Sequence, residues 1–266
     1  MGLERISTVD DPRLSLYRSI SDPELARSHG LFVAEGRFVV RRVLEDARYR
    51  VRSVLVNDAA YRALSPALER LVVSPPIFLC ETADFRAITG FNLHRGCVAL
   101  VERPAPISVG ELIATTDVLV VLDGVSNADN IGGVFRNAAA FGAGGVVLSP
   151  ACADPWYRKA IRTSMAAVLR VPFAYADAWP GDLARLRQSG FTLVALTARP
   201  PAEPLNAFAV RARGSRVAIV AGAEGSGLAP EVESAADVRV RIPIAEDVDS
   251  LNVAVAVAIA LYALRS

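Results

Sequence analysis

The chain lacks the parts for most metal and disulfide chemistry. Its three cysteines, Cys80, Cys97 and Cys152, are far apart, with no C-x-x-C pair, and its two histidines, His29 and His94, stand alone in 266 residues. Neither a zinc-site spacing nor a disulfide framework can be written from that set, so no metal is expected. Lysine is almost missing. Lys159 is the one lysine among 29 basic residues, and the rest are arginine. A phosphate loop of the G-x-x-x-x-G-K type is therefore excluded. Long apolar runs are missing too. No stretch reaches the roughly 18 uninterrupted apolar residues of a membrane helix. The start, MGLERISTVDDPR, has no apolar signal core, and its sixth position lacks the Ser or Thr of a myristoylation signal. A soluble, non-secreted, cytoplasmic protein with no membrane partner is expected.

An excess of either charge is also lacking. The 29 basic residues face 28 acidic ones, which argues against a protein that coats nucleic acid with its whole surface. A local excess is present. Between positions 37 and 52, six arginines (Arg37, Arg41, Arg42, Arg48, Arg50 and Arg52) face only Glu45 and Asp46, a net of +4. A solvated helix face is the plain alternative for this patch.

What remains is rich in apolar residues, at 52%, and long enough for two domains of ordinary size. Prolines and a glycine punctuate VERPAPISVGEL (Val101 to Leu112) between two apolar runs. This places a first domain at 1–104, a linker at 105–116 and a second domain at 117–266. In the first, strand-like VRSVLV, PIFLC and CVALV alternate with helix-like GRFVVRRVLED and ADFRAIT. In the second, six strand-like runs follow one another: DVLVVL, GGVVL, RVPFAY, FTLVAL, RVAIV and DVRVRI. Helical patterns separate most of them. Continuous apolar strands joined by helices imply an α/β fold with a parallel sheet buried on both faces. Ligands of such folds bind outside the carboxyl ends of the strands.

Three loops at strand ends carry the unusual residues. The first is NADNIGGVFRNAAAFG. Asn130 stands where it can cap a helix starting near Ile131. On that helix Gly132, Gly133, Arg136 and Ala140 share one face. Two helical glycines cost about 1 kcal/mol each against alanine, so something is expected to approach the backbone closely there. Arg136 would project over this bare floor near a helix N-terminus, a good place for an anion. A structural arginine paired with a distant acid is the alternative. The second loop, VAGAEGSGL, holds three glycines around Glu224, in a spacing unlike a dinucleotide fingerprint; a plain turn would also account for them. The third, RIPIAEDVDSLNVAVAVAIALYAL, offers Ser250 as a cap and then a helix from Leu251 to Leu264, apolar on every side except at Asn252. Such a helix is expected deep in the core or between subunits. Asn252 would be an expensive polar group unless it has a job.

Together, the three loops resemble the three motifs of the SpoU (TrmH-type) branch of the SPOUT RNA methyltransferases. The first loop carries Asn130, Gly132 and Arg136, the second Gly222 and Glu224, and the third Ser250, Leu251 and Asn252. The stretch DPWYRKAIRTSMAAVLRVP is similar to the family's segment after its second strand, with Ala167 departing from a frequent glycine after TSM. More weakly, HGLFVAEGRFVVRRVL and ITGFNLHRGCVALVER resemble the ribosomal-protein-like RNA-binding domain that several members carry.

The resemblance implies a trefoil-knotted SPOUT domain, a topology that general fold rules would not propose. It further implies a homodimer, S-adenosylmethionine as cofactor, and 2′-O-methylation of a ribose in RNA. Gly222, Ile242 and Leu251 would hold the cofactor through backbone groups, and Thr197 would line the same pocket. Arg136 would be the catalytic arginine. Because a guanidinium keeps its proton, it is expected to grip a phosphate and stabilise charge on the 2′-oxygen instead of acting as a base. Asn130, Glu224, Ser250 and Asn252 would orient Arg136 or the ribose. Arg37, Arg41 and Arg42 are expected to bind RNA, ribosomal RNA more than transfer RNA. A transfer RNA 2′-O-methyltransferase, a base methylase of a sister branch and a non-catalytic RNA-binding protein of this fold are the alternatives.

Overall fold

The computed structural model describes residues 2–18, 21–90, 96–245 and 247–265. His94 lies outside the described residues. The chain divides into two compact units. One comprises residues 1–105 together with 156–162, the other 106–155 together with 163–266.

The first unit is built from β1 (Leu3–Arg5), α1 (Asp22–His29), β2 (Leu31–Glu35), α2 (Arg37–Glu45), β3 (Val51–Val56), α3 (Asp58–Leu68), β4 (Ile77–Leu79), α4 (Asp84–Thr89) and β5 (Cys97–Glu102). Its strands form one mixed sheet in the order β1-β4-β3-β5-β2, with β5 antiparallel to both neighbours. Leu55, Leu100 and Val98 from the sheet close over Leu14, Phe85 and Ile88. Helix α2 starts directly after Gly36, which takes φ 87°, a value glycine adopts without strain. Trp156, far along the chain, stacks on Phe32 at 4.8 Å and meets Tyr49 edge-on at 6.1 Å. Arg158 donates its Nε to Asp22 Oδ1 at 2.9 Å.

The second unit opens with α5 (Val109–Ala114), where the prolines and glycine suggest an open connection. Ser108 and Glu111 cap this helix reciprocally, and Val109, Leu112 and Ile113 sit in the core. A capping box followed by an apolar triplet outweighs the flanking loop residues. Then come β6 (Val118–Asp123), α6 (Ala128–Phe141), β7 (Gly145–Leu148), α7 (Arg158–Thr163), β8 (Phe173–Tyr175), α8 (Asp182–Gln188), β9 (Thr192–Leu196), β10 (Glu203–Pro204), α9 (Leu205–Arg211), β11 (Val217–Gly222), α10 (Pro230–Ala235), β12 (Val238–Arg241) and α11 (Val253–Arg265). All but the last residue of α7 belong to the first unit. All six expected strands are present, joined by the two-residue β10. They form one fully parallel sheet in the order β10-β12-β9-β11-β6-β7-β8. Val120, Val121 and Leu122 of β6 are fully buried, as a strand covered on both faces requires. Ala167 heads a short 3₁₀ turn, and the left-handed backbone falls just before it, at Met165 (φ 50°) and Ala166 (φ 62°). Two successive non-glycine residues in that region carry about 1–2 kcal/mol of strain each.

Candidate active site

Three loops converge beyond the carboxyl ends of β9, β11 and β12 and enclose a cavity of about 510 Å3. The four residues expected to hold a cofactor, Thr197, Gly222, Ile242 and Leu251, all line it, together with Glu224 and Ser250. The second loop is a tight hairpin. The Gly227 N–H donates to the Ala223 carbonyl at 2.9 Å, and Gly225 and Gly227 take φ 84° and 71°. Gly222 has a different reason to be glycine. A Cβ there would lie 2.2 Å from the Gly227 carbonyl carbon, so only a bare backbone lets the hairpin fold back on its strand.

At the rim, Asn252 joins the loop after β12 to the hairpin after β11 and to the first turn of α6, which follows β6. Its Nδ2 donates to Glu224 Oε1 at 2.6 Å and to Asn130 Oδ1 at 2.9 Å. Its Oδ1 accepts from the N–H groups of Ala254 at 2.9 Å and Val255 at 3.3 Å. Two donors meet two acceptors and the oxygen meets two donors, so the amide is fully satisfied and its orientation is set by its partners. Asn252, not Ser250, is thus the cap of α11, and it lies before the helix, not in its first turn. Ser250 is exposed on the cavity wall. Asn130 is likewise not a cap. It is buried in the first turn of α6, and Asn127 caps that helix by accepting from the Asp129 N–H at 2.9 Å. Glu224 is exposed, and its Oε2 has no hydrogen-bond partner among the described residues.

Arg136 is not drawn into this cluster. It is exposed on α6 and makes no hydrogen bond or ion pair among the described residues. The glycine beside it serves packing instead of a ligand. A Cβ on Gly133 would sit 2.8 Å from the Ala254 Cβ, and Asn137 Nδ2 donates to the Ala254 carbonyl at 2.7 Å. The close approach at Gly133 is therefore that of helix α11. Three side chains with no linear motif also belong to the site. Asp123, at the end of β6, accepts from Trp179 Nε1 at 3.1 Å and from the Ala229 N–H at 2.9 Å, which anchors the chain beyond the hairpin. Arg199 and Asp249 line the cavity from loops where nothing in the local pattern singles them out.

In the first unit, Arg37 and Arg41 are exposed on α2, and the Arg42 guanidinium lies 5.9 Å from the centroid of the half-exposed Phe38 ring. Arg41 also donates to the Ala63 carbonyl at 3.0 Å. Glu102, on β5, joins this patch with carboxylate oxygens 3.6 Å from Arg50 and 3.9 Å from Arg52, so the local excess is one charge smaller than positions 37–52 alone indicate. Arg48 pairs with Asp46 at 2.6 Å. Burial pushes the thiols of Cys80 and Cys97 up to about 12, which leaves them without nucleophilic character near neutral pH. Among the described residues, no helix is long and apolar enough to cross a membrane.

A model of the SpoU rRNA Methylase family matches residues 117–262. A tRNA/rRNA methyltransferase of Mycobacterium bovis, itself uncharacterized, is 36% identical over 266 residues, spanning 98% of this chain and 91% of its own. The structure of an rRNA methyltransferase from Sinorhizobium meliloti with bound AdoMet has the same fold, with a TM-score of 0.82 at 21% identity over 100% of this chain and 98% of that one. The structure of an RNA 2′-O ribose methyltransferase matches with a TM-score of 0.77 at 25% identity over 98% of each chain. The family model spans all three loops and the relative spans nearly the whole chain, so this chain belongs to the SpoU rRNA Methylase family of RNA methyltransferases.

Proposed function

We propose that this protein transfers a methyl group from S-adenosylmethionine to a ribose 2′-hydroxyl of RNA, ribosomal RNA before transfer RNA, and that it works as a homodimer in the cytoplasm. The observation that carries the reading is the Asn130–Asn252–Glu224 cluster at the rim of the cavity beyond the strand ends. The cavity's size is that of a small-molecule site, and its apolar walls, interrupted by Arg199, Glu224 and Asp249, suit a cofactor with an aromatic base and charged groups of both signs. Thr197, Gly222, Ile242 and Leu251 would hold it. Bound there, it would supply a methyl group already activated as a sulfonium.

The chain's own residues have the remaining work. Glu224 Oε2 is available to accept a hydrogen bond from a ribose hydroxyl, and Asn252 fixes the carboxylate by holding Oε1. Arg136, with no hydrogen bond or ion pair among the described residues, can spend its fork of donors on an RNA phosphate and on charge developing at the 2′-oxygen. Positioning the hydroxyl in line with the methyl group supplies much of the remaining acceleration. The RNA would be selected by Arg37, Arg41 and Arg42 in a ribosomal-protein-like first unit. The trefoil knot is inferred from membership of the family.

The test is chemical. Ribosomal and transfer RNA from a strain without this protein would each be incubated with the enzyme and S-adenosylmethionine, then digested to nucleosides for mass spectrometry. A 2′-O-methylnucleoside from ribosomal RNA is the expected product. Methyl on a base, or no product from either RNA, would overturn the reading.

A further inference from the structure

The cavity holds an unassigned cation. Among the described residues lining it, three are ionisable: Arg199, Glu224 and Asp249. Arg199, in the loop after β9, reaches over the second loop and donates Nη2 to the Ser226 carbonyl at 2.8 Å. Its Nη1 lies 3.5 Å from Glu233 Oε2. Glu233 is buried in α10 and is shared, since Arg239 Nε stands 3.7 Å from its other oxygen. Two guanidiniums thus face one carboxylate, which leaves a positive surplus beside the cavity. The Arg199 side chain remains 57% exposed, with most of its five donors uncommitted.

The geometry points to Arg199 as the anchor for the α-carboxylate of the cofactor's amino-acid tail. This inference rests on the S-adenosylmethionine reading above. The cofactor carries one anion, that carboxylate, and two cations, the sulfonium and the α-ammonium. The cavity carries one cation and two anions, so the charges match one for one. A guanidinium already oriented by a backbone carbonyl presents its planar fork at little further entropic cost, and such a fork fits a carboxylate with two parallel hydrogen bonds. The shared Glu233 holds the guanidinium without neutralising it.

The test compares S-adenosylhomocysteine with S-adenosyl-3-thiopropylamine, which keeps the adenosine, the sulfur and the ammonium but lacks the carboxylate. Each would be titrated calorimetrically into the full-length protein and into Arg199→Ala and Arg199→Gln. The unaltered protein should bind S-adenosylhomocysteine at least about tenfold more tightly, roughly 1.4 kcal/mol. Both variants should lose that preference by weakening S-adenosylhomocysteine alone, with the amine within about twofold of its original affinity. Equal weakening of both ligands would reduce Arg199 to a brace for the hairpin and overturn the assignment. Unchanged affinity for both would overturn it as well. If neither ligand binds the unaltered protein, the cofactor reading itself falls, and the anchor with it.

Discussion

Arg136 and Asn252 show how differently two polar residues can sit in one site. Asn252 is committed on every atom, and its four hydrogen bonds tie its own loop to the hairpin after β11 and to the first turn of α6. Arg136 is committed to nothing among the described residues, so its removal should leave the fold intact. Arg136→Ala should lower methyl transfer at least about 100-fold, the scale for losing a preorganised charge stabiliser, while cofactor affinity stays within about twofold. Single-turnover rates and calorimetry on the same preparation would check both halves, and near-normal turnover would remove Arg136 from the mechanism. Much at this scale was legible in the sequence. A polar Asn252 among apolar residues leads one to expect partners, and it has them, but the residue is exposed, so the burial cost expected from the sequence is not what calls for them. Which partners it has was not legible, since Glu224 lies 28 positions and Asn130 122 positions away. Arg199 left no sign at all, because its role depends on Ser226 and Glu233 meeting it in space.

Helix α11 carries its meaning on its faces. Val257, Ala260 and Leu261 are buried, whereas Val255, Ile259 and Tyr262 are exposed at 47%, 36% and 63%. The exposed three recur at helical spacing and form an apolar stripe, the mark of a surface that meets a partner. In the proposed homodimer, Val255→Asp should raise the dissociation constant at least about 100-fold, because a charge forced into an apolar contact has no compensating partner. Sedimentation equilibrium would measure this, and an unaltered monomer as the native state would remove the stripe from the interface. Composition alone, apolar all round, announces burial but does not divide it between core and partner. Element ends were harder to read than element interiors. Both Asn130 and Ser250 stand in front of apolar runs, the usual cap signal, yet Asn127 and Asn252 take the caps. Gly133 is similar: its presence tells of a close approach, but only the packing shows that Ala254 is what approaches.

At the scale of the whole chain, a near-zero net charge hides an uneven distribution. Arg41 and Arg42 sit on α2 of the first unit, whereas the cavity belongs to the second. Replacing both with alanine should weaken RNA binding and flatten its salt dependence by about one unit of slope per lost phosphate contact. Cofactor affinity should not move. Titrating labelled ribosomal RNA at several salt concentrations would show this, and equal slopes would place RNA selection elsewhere. The two units part after residue 105, within the proline-rich stretch, and residues 156–162 return to the first unit, which no linear pattern shows, because Trp156 meets Phe32 only in three dimensions. That return makes the two units inseparable as genetic modules. A gene fragment ending at residue 105 would encode Phe32 and Tyr49 without the indole that covers them, and one starting at residue 106 would carry that indole with nothing to cover. Shuffling the first unit between relatives would therefore need a matched exchange of these seven residues, so recombination should have to treat them as one inheritance.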